Sequence, residues 1–443
     1  MLKNADRRTS LATSLCLLAS FIVAPQTSQA VPSFARQTNL PCSSCHTTYP
    51  ELTAFGRDFK LNAYTMTNIQ QIESTRQGSD AGMKISQIPP VSAMLTTSIT
   101  SVKTSIPDTQ NSNVAFPQEF SLFFAGEITP NIGSFIQITY AQDSASFDID
   151  NSDIRYADHT TFAGADTLYG ITVNNNPTVE DPWNSTPAWG FPFTSSPTAP
   201  TPVAEIMLGT LGQDVAGIGA YTLWDNHLYA NISIYRSAHH GPDILPNPNS
   251  TTTIDGIAPY WRLAWQQTIG DDNFEIGGFG MQTKIFPTGI NDPSDKYTDT
   301  ALDFQYEHPM SADMLTVRGS FIHEKQNFNS GAAANPSNNL DAVSVNGSYH
   351  LGTTGAFSLG YFSITGDTDT GLYAPNPFDG SANGSPDSNG YIAQATFLPW
   401  QNTQFTLQYT GYSKFNGSAT NYDGANRNAS DNDTLYMQAW LVW

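Results

Sequence analysis

Two of the three cysteines in this 443-residue chain stand close together, in Cys42-Ser43-Ser44-Cys45-His46. Two thiols at that spacing, followed at once by an imidazole, form the C-x-x-C-H pattern of c-type haem attachment. The chemistry sets the spacing. Each thiol adds across one porphyrin vinyl group, and the next residue places an imidazole beneath the iron. A redox C-x-x-C would favour a thioredoxin-like βαβ setting, and none surrounds these residues. A zinc site needs more ligands, and there is no second cysteine pair. One covalently attached haem c is therefore expected, with Cys42 and Cys45 as anchors and His46 as proximal iron ligand.

The residues that follow must position that group. Pro50 suits the first turn of a short helix. Leu52, Phe55 and Phe59 recur at i, i+3 and i+7 on one apolar face, which is expected to lie on the porphyrin. Arg36, Arg57 and Lys60 are candidates for the haem propionates, with ordinary solvated charge as the alternative. For the sixth iron ligand, Met66 or Met83 come first. Met94, a histidine, a barrel residue or an open position remain alternatives. The haem segment, residues 31–85, is too small for an apolar core alone, so haem and contacts with the rest of the chain must complete it.

The N-terminus reads as an export signal over residues 1–30. Lys3, Arg7 and Arg8 precede the apolar stretch Leu11 to Ala24, and Ser28-Gln29-Ala30 is a small-x-small cleavage site. Cys16 leaves with it. Export agrees with haem c, which is attached outside the cytoplasm.

From residue 91 to 443 the pattern changes to stretches of alternating apolar and polar residues separated by turns. Phe120 to Ile128, Leu228 to Tyr235 and Phe405 to Tyr409 are examples, and the last ends on Trp443. That length and period suit transmembrane β-strands, lipid-facing residues alternating with lumen-facing ones. Short connectors near 129–133, 162–166, 225–227, 270–273, 308–313, 351–355 and 399–402 alternate with longer ones near 104–117, 142–146, 175–213, 238–253, 287–296, 326–339, 367–388 and 416–431. The fold expected is all-β: a transmembrane antiparallel barrel of about 16 strands with a short, mainly helical haem segment at its N-terminus. Both termini would be periplasmic, with the haem segment in the lumen or at its periplasmic mouth. Residues 175–213, rich in Pro, Trp and Phe, suit a constriction or lid over the haem, or an extracellular cap.

Composition narrows the partners. Charged residues are 13%, the net charge is −21 and mean hydropathy is −0.31. A surface that acidic excludes nucleic acid as a partner, because phosphate binding needs basic groups. Outer-membrane lipid is the expected surroundings. Acidic clusters at Asp143, Asp148, Asp150, Asp153 and Asp158, at Asp292, Asp295, Asp299 and Asp303, and at Asp367 and Asp369 would attract cations without selecting strongly among them. His239-His240 is a further candidate for metal.

The block Pro32-Ser33-Phe34-Ala35-Arg36-Gln37-Thr38, the C-x-x-C-H, Pro50-Glu51-Leu52 and Phe55-Gly56-Arg57-Asp58-Phe59-Lys60 resembles the fused outer-membrane cytochrome–porins of bacteria that oxidise ferrous iron. Weaker echoes run through Asn174-Asn175-Asn176-Pro177, Asp181-Pro182-Trp183-Asn184, Ala258-Pro259-Tyr260-Trp261-Arg262 and Tyr297-Thr298-Asp299. The resemblance implies one haem, a barrel of about 16 strands, and electrons entering from an extracellular donor, Fe(II) first, and leaving to periplasmic cytochromes. The activity would be that of an Fe(II):cytochrome c oxidoreductase, electron transfer at minimum. Two alternatives stay open: a transport porin with a structural haem plug, and outward electron export.

Overall fold

A computed structural model describes residues 31–66, 89–106, 109–141, 145–238, 253–287 and 290–443. The export signal, Met83, Asp143 and His239-His240 lie outside the described residues.

Strict alternation along the chain folds into one closed sheet. Its strands are β1 (Val91–Val102), β2 (Asn113–Thr129), β3 (Ile132–Ala141), β4 (Ser146–Phe162), β5 (Ala165–Asn174), β6 (Val215–Trp224), β7 (Leu228–Ser237) and β8 (Ala258–Ile269). They continue with β9 (Asp272–Phe286), β10 (Asp295–Met310), β11 (Asp313–Asn327), β12 (Ser337–Leu351), β13 (Gly355–Gly366), β14 (Ser388–Trp400), β15 (Thr403–Lys414) and β16 (Thr434–Val442). Thr253–Ile254 is a detached extension of β8, pairing with the far end of β9. Counted as one with β8, it leaves 16 strands, all antiparallel and nearest-neighbour. The barrel closes where β16 pairs with β1, from Met94↔Val442 to Val102↔Thr434.

Side chains obey the period of two. Ile99, Ile171, Ile218, Ile232, Leu263, Ile276, Leu302, Leu359 and Met437 are exposed on the outer face. Alternate positions such as Thr96, Arg155, Asn231, Arg262, Asp303, Arg318 and Gln438 are buried inward. No described helix is long and apolar enough to cross a membrane; strands do the crossing. An apolar outer band on a closed barrel that satisfies every ladder hydrogen bond is the structure a bilayer permits.

The connectors expected to be short are turns of two or three residues, and all lie at the end where β1 starts and β16 finishes. The one departure is the connector after β3. It spans only the four positions between Ala141 and Ser146, shorter than the long connectors it was grouped with.

Two segments fill the lumen. One is residues 31–66, carrying α1 (Pro32–Thr38) and α2 (Ala54–Leu61). The other is the connector 175–214, which folds inward: Val179, Glu180, Asp181, Trp183, Asn184, Ser185 and Thr186 are all buried. This part of the loop thus turns into the lumen, as the constriction reading expected.

Candidate functional site

The Cys42–His46 stretch is a tight turn tied by its own backbone. Cys45 N and His46 N both donate to Cys42 O, at 3.0 and 2.8 Å, and Ser44 N donates to Pro41 O at 2.9 Å. That turn sets both thiols and the imidazole against one cavity of about 380 Å³. Thr53 N donates to Cys45 O at 2.9 Å and the Thr53 hydroxyl to Ser44 O at 2.6 Å. The same hydroxyl accepts from Gly56 N at 3.1 Å and so caps α2. The helix therefore starts at Ala54, four residues later than Pro50 suggested, because Thr53 and not the proline supplies the cap. Gly56 lets helix and turn touch: a Cβ there would stand 2.2 Å from Cys45 O.

Leu52, Phe55 and Phe59 all line the cavity, although only Phe55 and Phe59 lie on α2 and Leu52 precedes it. The opposite wall comes from the barrel, with Met94 on β1, Phe123 on β2, Phe135 on β3 and Trp440 and Val442 on β16. Trp189 and Phe193 of the inward loop close it from the side of the long connectors. The His46 ring lies 5.8 Å from Tyr49, which lies 6.0 Å from Trp440.

The residues fit a covalent haem. Both thiols are free of any disulfide. Burial, with the neighbouring Cys45 charge second, raises the Cys42 thiol, and burial lifts Cys45 to about 11, so both are protonated thiols at neutral pH. Burial pulls His46 down to about 4; the Pro50 and Glu51 backbones and the Glu51 carboxylate oppose it only in part. The neutral imidazole is the form that binds metal. His46 Nδ1 is buried and makes no well-formed hydrogen bond. The cavity lies within the roughly 300–1,000 Å³ of small-molecule and cofactor sites, and its lining is mainly apolar.

The cationic candidates are differently employed. Arg57 is buried and forms a two-pronged pair with Glu307 of β10, both contacts at 2.7 Å. It does not line the cavity, so its fork is taken up by the barrel wall and not offered to a propionate. Arg36 donates to Val91 O at the start of β1 and also lies off the cavity. Lys60 lines the cavity, but its ammonium donates to Val179 O at 2.6 Å and Asp181 O at 2.8 Å. Burial and the Arg155 charge lower Lys60 to about 7. Met66 follows α2, half-buried, and does not line the cavity.

Sequence reading missed the side chains that lock this plug in place. Glu51 pairs with Arg318 of β11, and its second oxygen accepts from Thr48 at 2.6 Å. Burial would raise that carboxyl, but Arg318, then His350 and Thr48, hold it below the usual range. Arg262 of β8 meets Asp303 at 2.7 Å, Asp181 at 3.1 Å and Glu275 at 3.3 Å. Arg155 of β4 pairs with Asp153 at 2.6 Å, and Asp153 also accepts from the Tyr64 hydroxyl at 2.8 Å. One signal was available: Arg155, Arg262 and Arg318 all fall on inward positions of their strands.

Most of the acidic clusters have structural partners. Asp369 accepts four backbone N–H bonds, from Ala334, Asn335, Gly371 and Leu372. Asp295 accepts from Asn329 N and Ser330 N, and Asp303 pairs with Arg262. Among the described residues, no three His, Cys, Asp or Glu converge as a metal site.

Fold and lumen together define a porin-like, outer-membrane type β-barrel. No known family profile and no curated protein matches the chain. Solved structures similar to it are outer-membrane barrels. OmpT of Vibrio cholerae, folded in vitro, is 12% identical over 80% of this chain and 96% of its own, with a TM-score of 0.44. The channel DcaP of Acinetobacter baumannii is 12% identical over 80% and 96%, at 0.47. An anion-selective porin from Comamonas acidovorans is 10% identical over 80% and 98%, also at 0.47.

Proposed function

We propose that this chain is an outer-membrane electron-transfer protein with one haem c on Cys42 and Cys45 and His46 as its axial ligand. It would take electrons from an extracellular donor, Fe(II) first, and deliver them to periplasmic cytochromes. The short-turn end, with both chain ends, faces the periplasm in this reading. The observation that carries it is the C-x-x-C-H turn opening on an apolar cavity inside a lumen that two packed segments fill.

The bound group would supply a one-electron iron couple. The chain's own residues do the rest. The Cys42–Ser44 turn presents both thiols to one cavity. Burial keeps the His46 ring neutral, with a lone pair for metal. Leu52, Phe55, Phe59, Phe123 and Phe135 exclude water, and a less polar surround disfavours the higher charge of an oxidised centre. The overall exchange is one electron from Fe(II), leaving Fe(III), to one oxidised cytochrome. No proton or atom moves, so no acid–base pair is required.

Anaerobic mixing of the purified, detergent-held protein with Fe(II) tests this. The reduced-haem α-band should rise within seconds at submillimolar iron, and Cys42→Ala should abolish it. A haem that stays oxidised with iron but reduces with dithionite removes the iron assignment. The porin alternative is tested in planar bilayers. The packed lumen predicts a silent barrel, and steady porin-sized conductance would favour transport instead.

A further inference from the structure

We infer that Met94 would supply the second protein ligand to the iron of this haem, its side chain and His46 lining the same cavity; this rests on the haem reading above. Met94 sits on β1, whose other inward positions carry the short hydroxyl side chains Ser92, Thr96, Ser98 and Thr100, and Val102 at the far end. At the one level that borders the cavity, the strand carries a thioether. The side chain is 3% exposed and packs against Phe123, Ala125 and Val442, with Phe34 of α1 beside it. Methionine has three rotatable bonds beyond Cα and a soft sulfur, so it can turn toward iron without moving the strand.

The other donors that line the cavity are engaged. Lys60 is held by two carbonyls and Tyr64 by Asp153. Asp150 accepts from Thr139 at 2.9 Å and Gln213 at 2.6 Å. Gln137 donates to Ser121 and Thr139. Tyr49 and Glu119 have partners as well. Met94 is the soft donor among the described lining residues outside the attachment motif. Apolar core packing alone would not need sulfur at this position; leucine would fill it.

The consequence is a high potential for a c-type haem, since His/Met ligation raises it relative to nitrogen ligation or an open position. That would suit a centre accepting electrons from a weak reductant.

The test uses the full chain in detergent. A haem stain on a denaturing gel first reports covalent haem, independent of axial ligation. Absorption spectra and a redox titration then follow wild type, Met94→Leu, Met94→His and Met66→Leu. The wild type should show the long-wavelength charge-transfer band of a thioether–ferric bond. Met94→Leu should lose it, turn high-spin and drop in potential. Met94→His should lose the band yet stay low-spin, which separates lost ligation from lost folding. Met66→Leu should match wild type. A wild type with covalent haem but no thioether band, or a band that survives in Met94→Leu, overturns the assignment and leaves the haem standing. Absence of covalent haem overturns both.

Discussion

The two sides of the lumen are built on opposite principles. Along β8 to β11, inward arginines and carboxylates meet the plug as buried pairs, Arg57–Glu307, Arg318–Glu51 and Arg262–Asp181, while the Arg155–Asp153 pair within β4 reaches it through Tyr64 and the Glu180 carbonyl. Along β16 and β1 to β3, the wall offers Met94, Phe123, Phe135 and Trp440 to an apolar cavity. Buried ion pairs add little net stability over apolar packing, but breaking one is costly and directional. The charged side therefore fixes where the plug sits, and the apolar side is left to line the cavity. A lumen charged all round would hydrate its centre. One apolar all round would let the plug slide.

Four changes sharpen or break this contrast. The largest effect is on the apolar side. Cys42→Ala combined with Cys45→Ala should take covalent haem from one per chain to none, by haem stain, while the barrel keeps its heat-modifiable gel mobility. Loss of the barrel as well would mean that the haem segment is needed for the wall to form.

Next comes the charged side. Arg262→Ala leaves Asp181, Asp303 and Glu275 buried with their shared cation gone. Truncating one partner of a buried pair costs about 3–5 kcal/mol. Denaturant unfolding of the detergent-held protein should register it, and bilayer recordings should show new, fluctuating conductance as the inward loop loosens. Unchanged stability would show the charged side to be passive.

Gly56→Ala comes third. Its new Cβ meets Cys45 O, an atom of backbone that cannot swing away. Overpacking of this kind costs about 1–3 kcal/mol. The expected result is a lower haem-to-chain ratio with the barrel's unfolding midpoint little changed.

The smallest effect is a pH slope. Burial lifts Glu180 to about 7 from an ordinary 4.5, so the folded chain holds a proton that the unfolded chain releases. Stability from this group is full below pH 4.5 and is lost as pH rises toward 7. Lys60, lowered to about 7 from 10.5, acts the other way: its penalty is full below pH 7 and is relieved above it. The two place a shallow stability minimum near neutrality. Glu180→Gln should flatten the Tm profile between pH 4.5 and 7, and an unchanged slope would assign it to other groups.

Much of the fold was legible in the chain. Strand count and connector pattern could be read because inward and outward residues alternate with a fixed period, and a bilayer tolerates no irregular backbone facing lipid. The C-x-x-C-H motif was legible as a spacing, and the structure sets Cys42, Cys45 and His46 against one cavity. Leu52, Phe55 and Phe59 were legible as one face, although the helix that carries two of them begins later than the proline implied. Arg57 was misjudged. Its charge looked available to a propionate, yet its partner, Glu307, lies 250 residues away. No local pattern announces such a pair. That Met94 lines the cavity and Met66 does not was not legible either, since only closing the barrel sets β1 against residues 31–66.

Local chemistry thus dictated the C-x-x-C-H spacing, the strand period and the alternation of turns and loops, because each depends on neighbours within a few residues. Which loop turns inward, which charges bind the plug and which side of the lumen stays apolar were decided only in three dimensions. Those choices depend on strands brought together across the barrel, where desolvation makes every buried charge find a partner.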